Sequence, residues 1–126
     1  MRDDRRRHER RLLAAIFIGA GVLHLVRPQM YLGIMPAWVP AHLPLVYLSG
    51  VAEIAGGAGL LRPAWRGRAG WWLVVLLIAV LPANVEMLRQ GLERGASLLA
   101  LTVLSLRLPL QGVLIWRVRR VSAPTY

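Results

Sequence analysis

At 126 residues, with 56% hydrophobic residues and a mean hydropathy of +0.50, the chain is too short for more than one domain and too apolar for an ordinary soluble one. Its sixteen basic residues are all arginine and outnumber six acidic ones, for a net charge of +10; in a soluble protein that balance would suggest nucleic acid, but here the arginines flank apolar runs, and no nucleic-acid partner is expected. The absence of cysteine excludes disulfides, a thiolate nucleophile and thiolate metal ligands.

Residues 1–11 carry Arg2, Arg5, Arg6, Arg7, Arg10 and Arg11 and read as a basic, solvated cytoplasmic extension. The apolar run 12–26 follows, and helical continuation into the charged segment gives a first membrane span at about 10–27. After it comes His24-Leu25-Val26-Arg27-Pro28 with no small-x-small cleavage site, the pattern of an uncleaved anchor. Residues 27–42 are apolar and stiffened by three prolines, so the segment is expected at the membrane interface, either covering the bundle end or acting as a lid over an outward-opening cavity.

A second span is expected at about 44–62, stopped by Arg62-Pro63, where proline cannot continue a helix. A third follows at about 70–88, entered through Trp71 and Trp72, whose indoles suit a membrane–water boundary. The fourth runs over about 97–118, leaving a tail at 119–126. Twelve arginines fall on the side of the termini and of the loop between spans two and three, against Arg27, Arg89 and Arg94 on the other. Because positive charge is retained in the cytoplasm, both termini are expected inside a multi-pass cell-membrane protein. The expected fold is all-α: a four-helix transmembrane bundle, residues 12–118, with an apolar, proline-rich outer loop between helices 1 and 2.

The residues that carry chemical information are the polar ones inside these spans, since an ionisable side chain at mid-bilayer costs on the order of 3 kcal/mol unless paired. Glu53 lies ~14 Å below the outer end of span two and Arg107 ~15 Å below that of span four, at ~1.5 Å rise per residue. Equal depth leads to the expectation of a buried Glu53–Arg107 ion pair, either structural or also ligand-binding. Ser49, Gly56 and Gly57 put Glu53 on a small-residue face, turned toward protein. Gln111 shares the face of Arg107, and Pro109 leaves the Ser105 carbonyl without its usual donor. A shallower cluster comprises His24, Asn84 and Glu86; His24 and Glu86 either meet or separately reach water. His24 reads as a packed imidazole or a titrating group, and Asn84 as interhelical glue or a ligand contact. No paired-histidine spacing supports a metal site, and Gly56-Gly57-Ala58-Gly59 within an apolar helix reads as close packing rather than a phosphate loop.

Gly21-Val22-Leu23-His24, then Pro28 and Tyr31, Ile34-Met35-Pro36 with Pro40, and Ser49-Gly50-Val51-Ala52-Glu53-Ile54 with Gly56-Gly57 and Gly59-Leu60-Leu61 form an ordered series. With Pro82-Ala83-Asn84, Met87 and Arg107-Leu108-Pro109-Leu110-Gln111, it resembles the DoxX family of small bacterial four-helix membrane proteins over roughly residues 19–117. The resemblance implies a four-helix bundle with His24, Glu53, Asn84, Arg107 and Gln111 as a buried polar network. It also implies a redox-associated membrane subunit that binds a quinone or similar small ligand, working with a soluble redox partner or another membrane subunit, or as a homo-oligomer. The alternative is a non-enzymatic membrane scaffold or assembly factor whose basic cytoplasmic face recruits a partner or anionic lipid.

Overall fold

The computed structural model describes residues 1–32 and 37–124, and among these every regular element is a helix: α1 (Arg2–Val26), α2 (Gln29–Leu32), α3 (His42–Leu60), α4 (Arg66–Ala79), α5 (Leu81–Glu93) and α6 (Leu98–Ser122). The part of the interfacial-loop expectation that rests on residues 33–36 lies outside the described residues, as do tail residues 125–126. Among the described residues, three helical stretches are long and apolar enough to cross a membrane: α3, the α4–α5 pair over Arg66–Glu93, and α6. Four had been expected. Helix α1 differs because only residues 12–26 of it are apolar, and Glu9, Arg10 and Arg11 stand directly before them.

The basic extension is helical from Arg2 onward and largely exposed. Asp3 and Asp4 in its first turn oppose the positive end of the helix dipole. Glu9 accepts from Arg117 Nη1 at 2.7 Å, and Arg10 Nε donates to the Val121 carbonyl at 3.3 Å, fastening the start of α1 to the end of α6.

The expected third span breaks after Ala79. Pro82 stands in the first turn of α5 and has no N–H to continue the ladder of α4, so Val80 becomes the shared end residue of both helices. At the far end of α5 the chain reverses through Gly95 at φ +66°, with the Ala96 N–H returning to the Gly91 carbonyl at 2.9 Å. Ser97 then caps α6, its Oγ accepting from the Ala100 N–H at 3.2 Å.

Close packing is uneven along the molecule. The apolar core, built on Leu13, Phe17, Leu60, Leu73, Val74, Val118 and Val121, lies at the end where the two termini meet. There Gly70 of α4 faces Ser122 of α6, and Gly56 of α3 faces Leu73 of α4, so tightly that a Cβ on either glycine would collide. Toward the other end the helices diverge around a cavity. Much of the outward surface of the long helices is apolar, with Leu48, Val75, Ile78, Val103 and Leu106 more than half exposed, as expected of helices that face hydrocarbon.

Candidate functional site

The cavity measures about 440 Å³ and is walled by α1, α2, α3, α4, α5 and α6 together. All five polar residues singled out in the sequence, His24, Glu53, Asn84, Arg107 and Gln111, line it; Tyr31 and Ser49 join them.

The meeting of α1 and α3 sets one wall. Gly21 and Gly50 face each other so closely that a Cβ on Gly21 would lie 2.5 Å from the Gly50 carbonyl oxygen, and one on Gly50 would lie 2.8 Å from that of Gly21. Such contact needs two residues without side chains. The helices run in opposite directions, and side chains lean toward the N-terminus of their own helix. His24 therefore leans down α1 while Glu53 leans up α3, and they meet: His24 Nδ1 lies 3.2 Å from Glu53 Oε2. The same Nδ1 is 2.8 Å from the Ala20 carbonyl one turn back. A ring nitrogen carries one hydrogen, and here it is aimed at Ala20. Glu53 Oε2 is left buried with a close neighbour and no hydrogen bond.

Tyr31 covers this pair from α2. Its ring stacks on the His24 imidazole with centroids 3.7 Å apart and planes 14° from parallel. Burial, reinforced by Glu53 and partly opposed by Arg107, pushes the Tyr31 phenol above its usual range, so the hydroxyl stays protonated and able to donate.

The opposite wall is a relay of amides. Asn84 Nδ2 donates to Gln111 Oε1 at 2.5 Å, and Gln111 Nε2 donates to the Leu77 carbonyl. Leu77 lies in the last turn of α4, where carbonyls lose their intrahelical donors. The end of α4 at Val80 thus leaves the acceptor that buried Gln111 satisfies, tying α4, α5 and α6 in one chain of bonds.

Arg107 corrects the expected ion pair. It lines the cavity from α6 but is exposed, and among the described residues the carboxylate partner of Arg89 is Glu86 or Glu93, that of Arg117 is Glu9, and that of His24 is Glu53; Arg107 has none. Depth along a helix is readable from residue count, but rotation about the axis is not, and α6 turns Arg107 into the cavity rather than onto Glu53. Glu86 likewise does not meet His24; it binds Arg89 one turn on.

These features define an all-helical protein with membrane-length apolar helices and a polar cavity among them. A family described as a domain of unknown function (DUF8561) matches residues 13–122, and the chain belongs to it. This overturns the DoxX resemblance. The quoted pieces are glycines at helix crossings, prolines at helix breaks and polar residues at a cavity, which any small helical membrane bundle needs. No curated protein and no solved structure matches the chain.

Proposed function

We propose that this chain is a four-span membrane protein, both termini cytoplasmic, that binds a small amphipathic ligand in the cavity: an apolar body with a carbonyl or anionic oxygen at its head. The observation that carries this reading is the pairing, in one cavity, of a guanidinium without a carboxylate partner and a buried carboxylate oxygen without a hydrogen bond, both as seen among the described residues. Such groups are costly where water is scarce, unless something binds between them.

The fourth span is α1. Its apolar residues are too few to qualify alone, but α1 lies along α3 through Gly21, Gly50 and Gly57, and arginines at its lower end reach the headgroup layer along their own stems. The twelve-to-three arginine asymmetry supports the orientation. In the cavity, Arg107 donates to the ligand's oxygen, and the Tyr31 hydroxyl supplies a further donor. Glu53 accepts from a ligand hydroxyl or takes its proton. A quinone or quinol head fits this donor set and serves as a probe. The redox role rested on the DoxX resemblance and falls with it; the proposal is binding.

The test is mass spectrometry of organic-solvent extracts from purified protein, comparing wild type with Arg107→Leu and Glu53→Gln, each checked for an unchanged elution profile. A small molecule retained by wild type and depleted at least tenfold in both variants is expected. Equal retention by all three overturns the proposal, and a co-purifying protein retained by all three without any small molecule would favour the scaffold reading.

A further inference from the structure

A second cleft, of about 350 Å³, opens at the end where the termini meet. Arg7, Arg10 and Arg11 enter it from α1, Arg66 enters from the start of α4, and Asp3 is its one acidic member. Residues 3, 7, 10 and 11 fall on one face of a helix by their spacing, so the arginines project together because the extension is helical.

Two of the four guanidiniums are fixed from behind. Arg10 Nε donates to the carbonyl of Val121 near the end of α6, and Arg66 Nε donates to that of Leu60 at the end of α3, 3.4 Å away. Each bond uses the inner nitrogen and supplies a donor to a helix C-terminus that lacks one, leaving the two outer amino groups for the cleft. The four arginines take part in none of the ion pairs formed among the described residues. Four like charges around one small opening repel one another, and Asp3 offsets one of them.

The rim is not uniformly polar. Leu61, nearly half exposed, and Pro63 form its apolar edge. At the same end of the molecule Arg68 lies over Trp65, Arg119 over Trp71, and Arg117 and Arg120 over Trp116. Indoles held under guanidiniums are the chemistry of a headgroup layer. The cleft therefore sits where phosphate groups are, with an apolar edge along which an acyl chain can lie.

We infer that the Arg7–Arg10–Arg11–Arg66 cleft is a binding site for a phosphate group, presented by an anionic phospholipid of the inner leaflet or by a free phosphate compound. Guanidiniums recognise phosphate oxygens through paired N–H donors. Selectivity arises from geometry: the two pinned arginines give a fixed fork, and Arg7 and Arg11 close over it from solvent.

Native mass spectrometry of the full chain in nonionic detergent tests this, with dioleoylphosphatidylglycerol, dioleoylphosphatidylcholine and inorganic phosphate as probes. The decisive variants are Arg7→Gln/Arg11→Gln, which leave the carbonyl bonds of Arg10 and Arg66 in place, and Arg2→Gln/Arg5→Gln, which remove equal charge outside the cleft. One phosphatidylglycerol per chain is expected on wild type and on Arg2→Gln/Arg5→Gln, with affinity lower by on the order of thirtyfold on Arg7→Gln/Arg11→Gln. Displacement of that lipid by millimolar inorganic phosphate would identify phosphate alone as sufficient. Resistance to displacement would identify the lipid as the source. Equal losses in the two double variants, or equal binding of phosphatidylcholine, would overturn the site in favour of diffuse attraction to a basic surface.

Discussion

Asn84 and Gln111 show how a side chain's role is set by its neighbour's backbone. Gln111 is buried, so its amide must be satisfied on both sides, and it is: by Asn84 and by the Leu77 carbonyl. Replacing Gln111 with leucine strands the Asn84 amide and a carbonyl together, and a loss of about 1–3 kcal/mol is expected. Asn84→Ala removes one bond and should cost less. Their coupling in a double-mutant cycle, read from thermal unfolding in detergent, is expected at roughly 0.6 kcal/mol and below about 1.7; zero coupling would mean that the two amides act separately. Both residues were legible in the sequence as polar intruders in apolar helices. Their partners were not, because the Leu77 carbonyl becomes an acceptor only where α4 ends. His24 and Glu53 are a parallel case: each was visible alone, and their meeting depends on which faces of α1 and α3 cross. In the sequence Tyr31 is only one member of the quoted series, within the apolar segment 27–42, yet its ring closes the cavity over His24. Tyr31→Ala should weaken retention of the cavity ligand and lower stability by about 0.5–1.5 kcal/mol, whereas Tyr31→Phe, which preserves the stack, should keep stability. The two variants separate stacking from hydrogen bonding when melting and ligand retention are both measured.

At the scale of elements, the glycines fall into two groups that the sequence does not distinguish. Gly21 and Gly50 hold α1 against α3, and the His24–Glu53 contact depends on that distance. Gly19 and Gly112 have open space where a Cβ would stand. Gly50→Val should therefore destabilise by at least about 1–3 kcal/mol and separate His24 from Glu53, while Gly112→Ala should stabilise by about 0.5–1 kcal/mol through helix propensity. Melting temperatures of the two variants in one detergent check this; a similar shift in both would show that α1 and α3 do not meet through Gly50. Helix existence was readable from apolar runs and from stops such as Arg62-Pro63. The break at Val80 was not, because one proline inside an apolar run is compatible with a kinked continuous helix as well as with two helices. The helical state of residues 2–11 was hidden by their charge: a run of arginine carries no apolar stripe, and its anchorage shows only where Glu9 and Arg10 bond α6.

Across the whole molecule, a dense apolar core lies at the end of the termini, and a polar cavity lies among the helices toward the other end. This division gives the proposed topology a physical sense, since the closely packed end carries the arginine cleft and the indoles, and the open end carries Tyr31 and the ligand groups. The topology makes a prediction that the chain is suited to test, because without native cysteines any introduced thiol is unique. Arg94→Cys stands at the α5–α6 turn and Pro124→Cys beyond α6, both at exposed positions on opposite ends of the longest apolar helix. With four spans and both termini inside, a membrane-impermeant maleimide added to intact cells labels Arg94→Cys and reaches Pro124→Cys only after permeabilisation. A third thiol, Arg5→Cys, decides the pass count. If α1 crosses the membrane, Arg5→Cys is protected together with Pro124→Cys, and Trp38→Cys in the α2–α3 connection labels from outside with Arg94→Cys. If α1 lies along the membrane surface instead, three spans remain. The two ends of α1 must then lie on one side and, three crossings later, the end of α6 on the opposite one, so Arg5→Cys and Trp38→Cys would label alike and Pro124→Cys unlike them. That outcome would be at odds with the Glu9–Arg117 and Arg10–Val121 bonds, which hold the first turns of α1 at the end of α6 while α1 runs the length of α3.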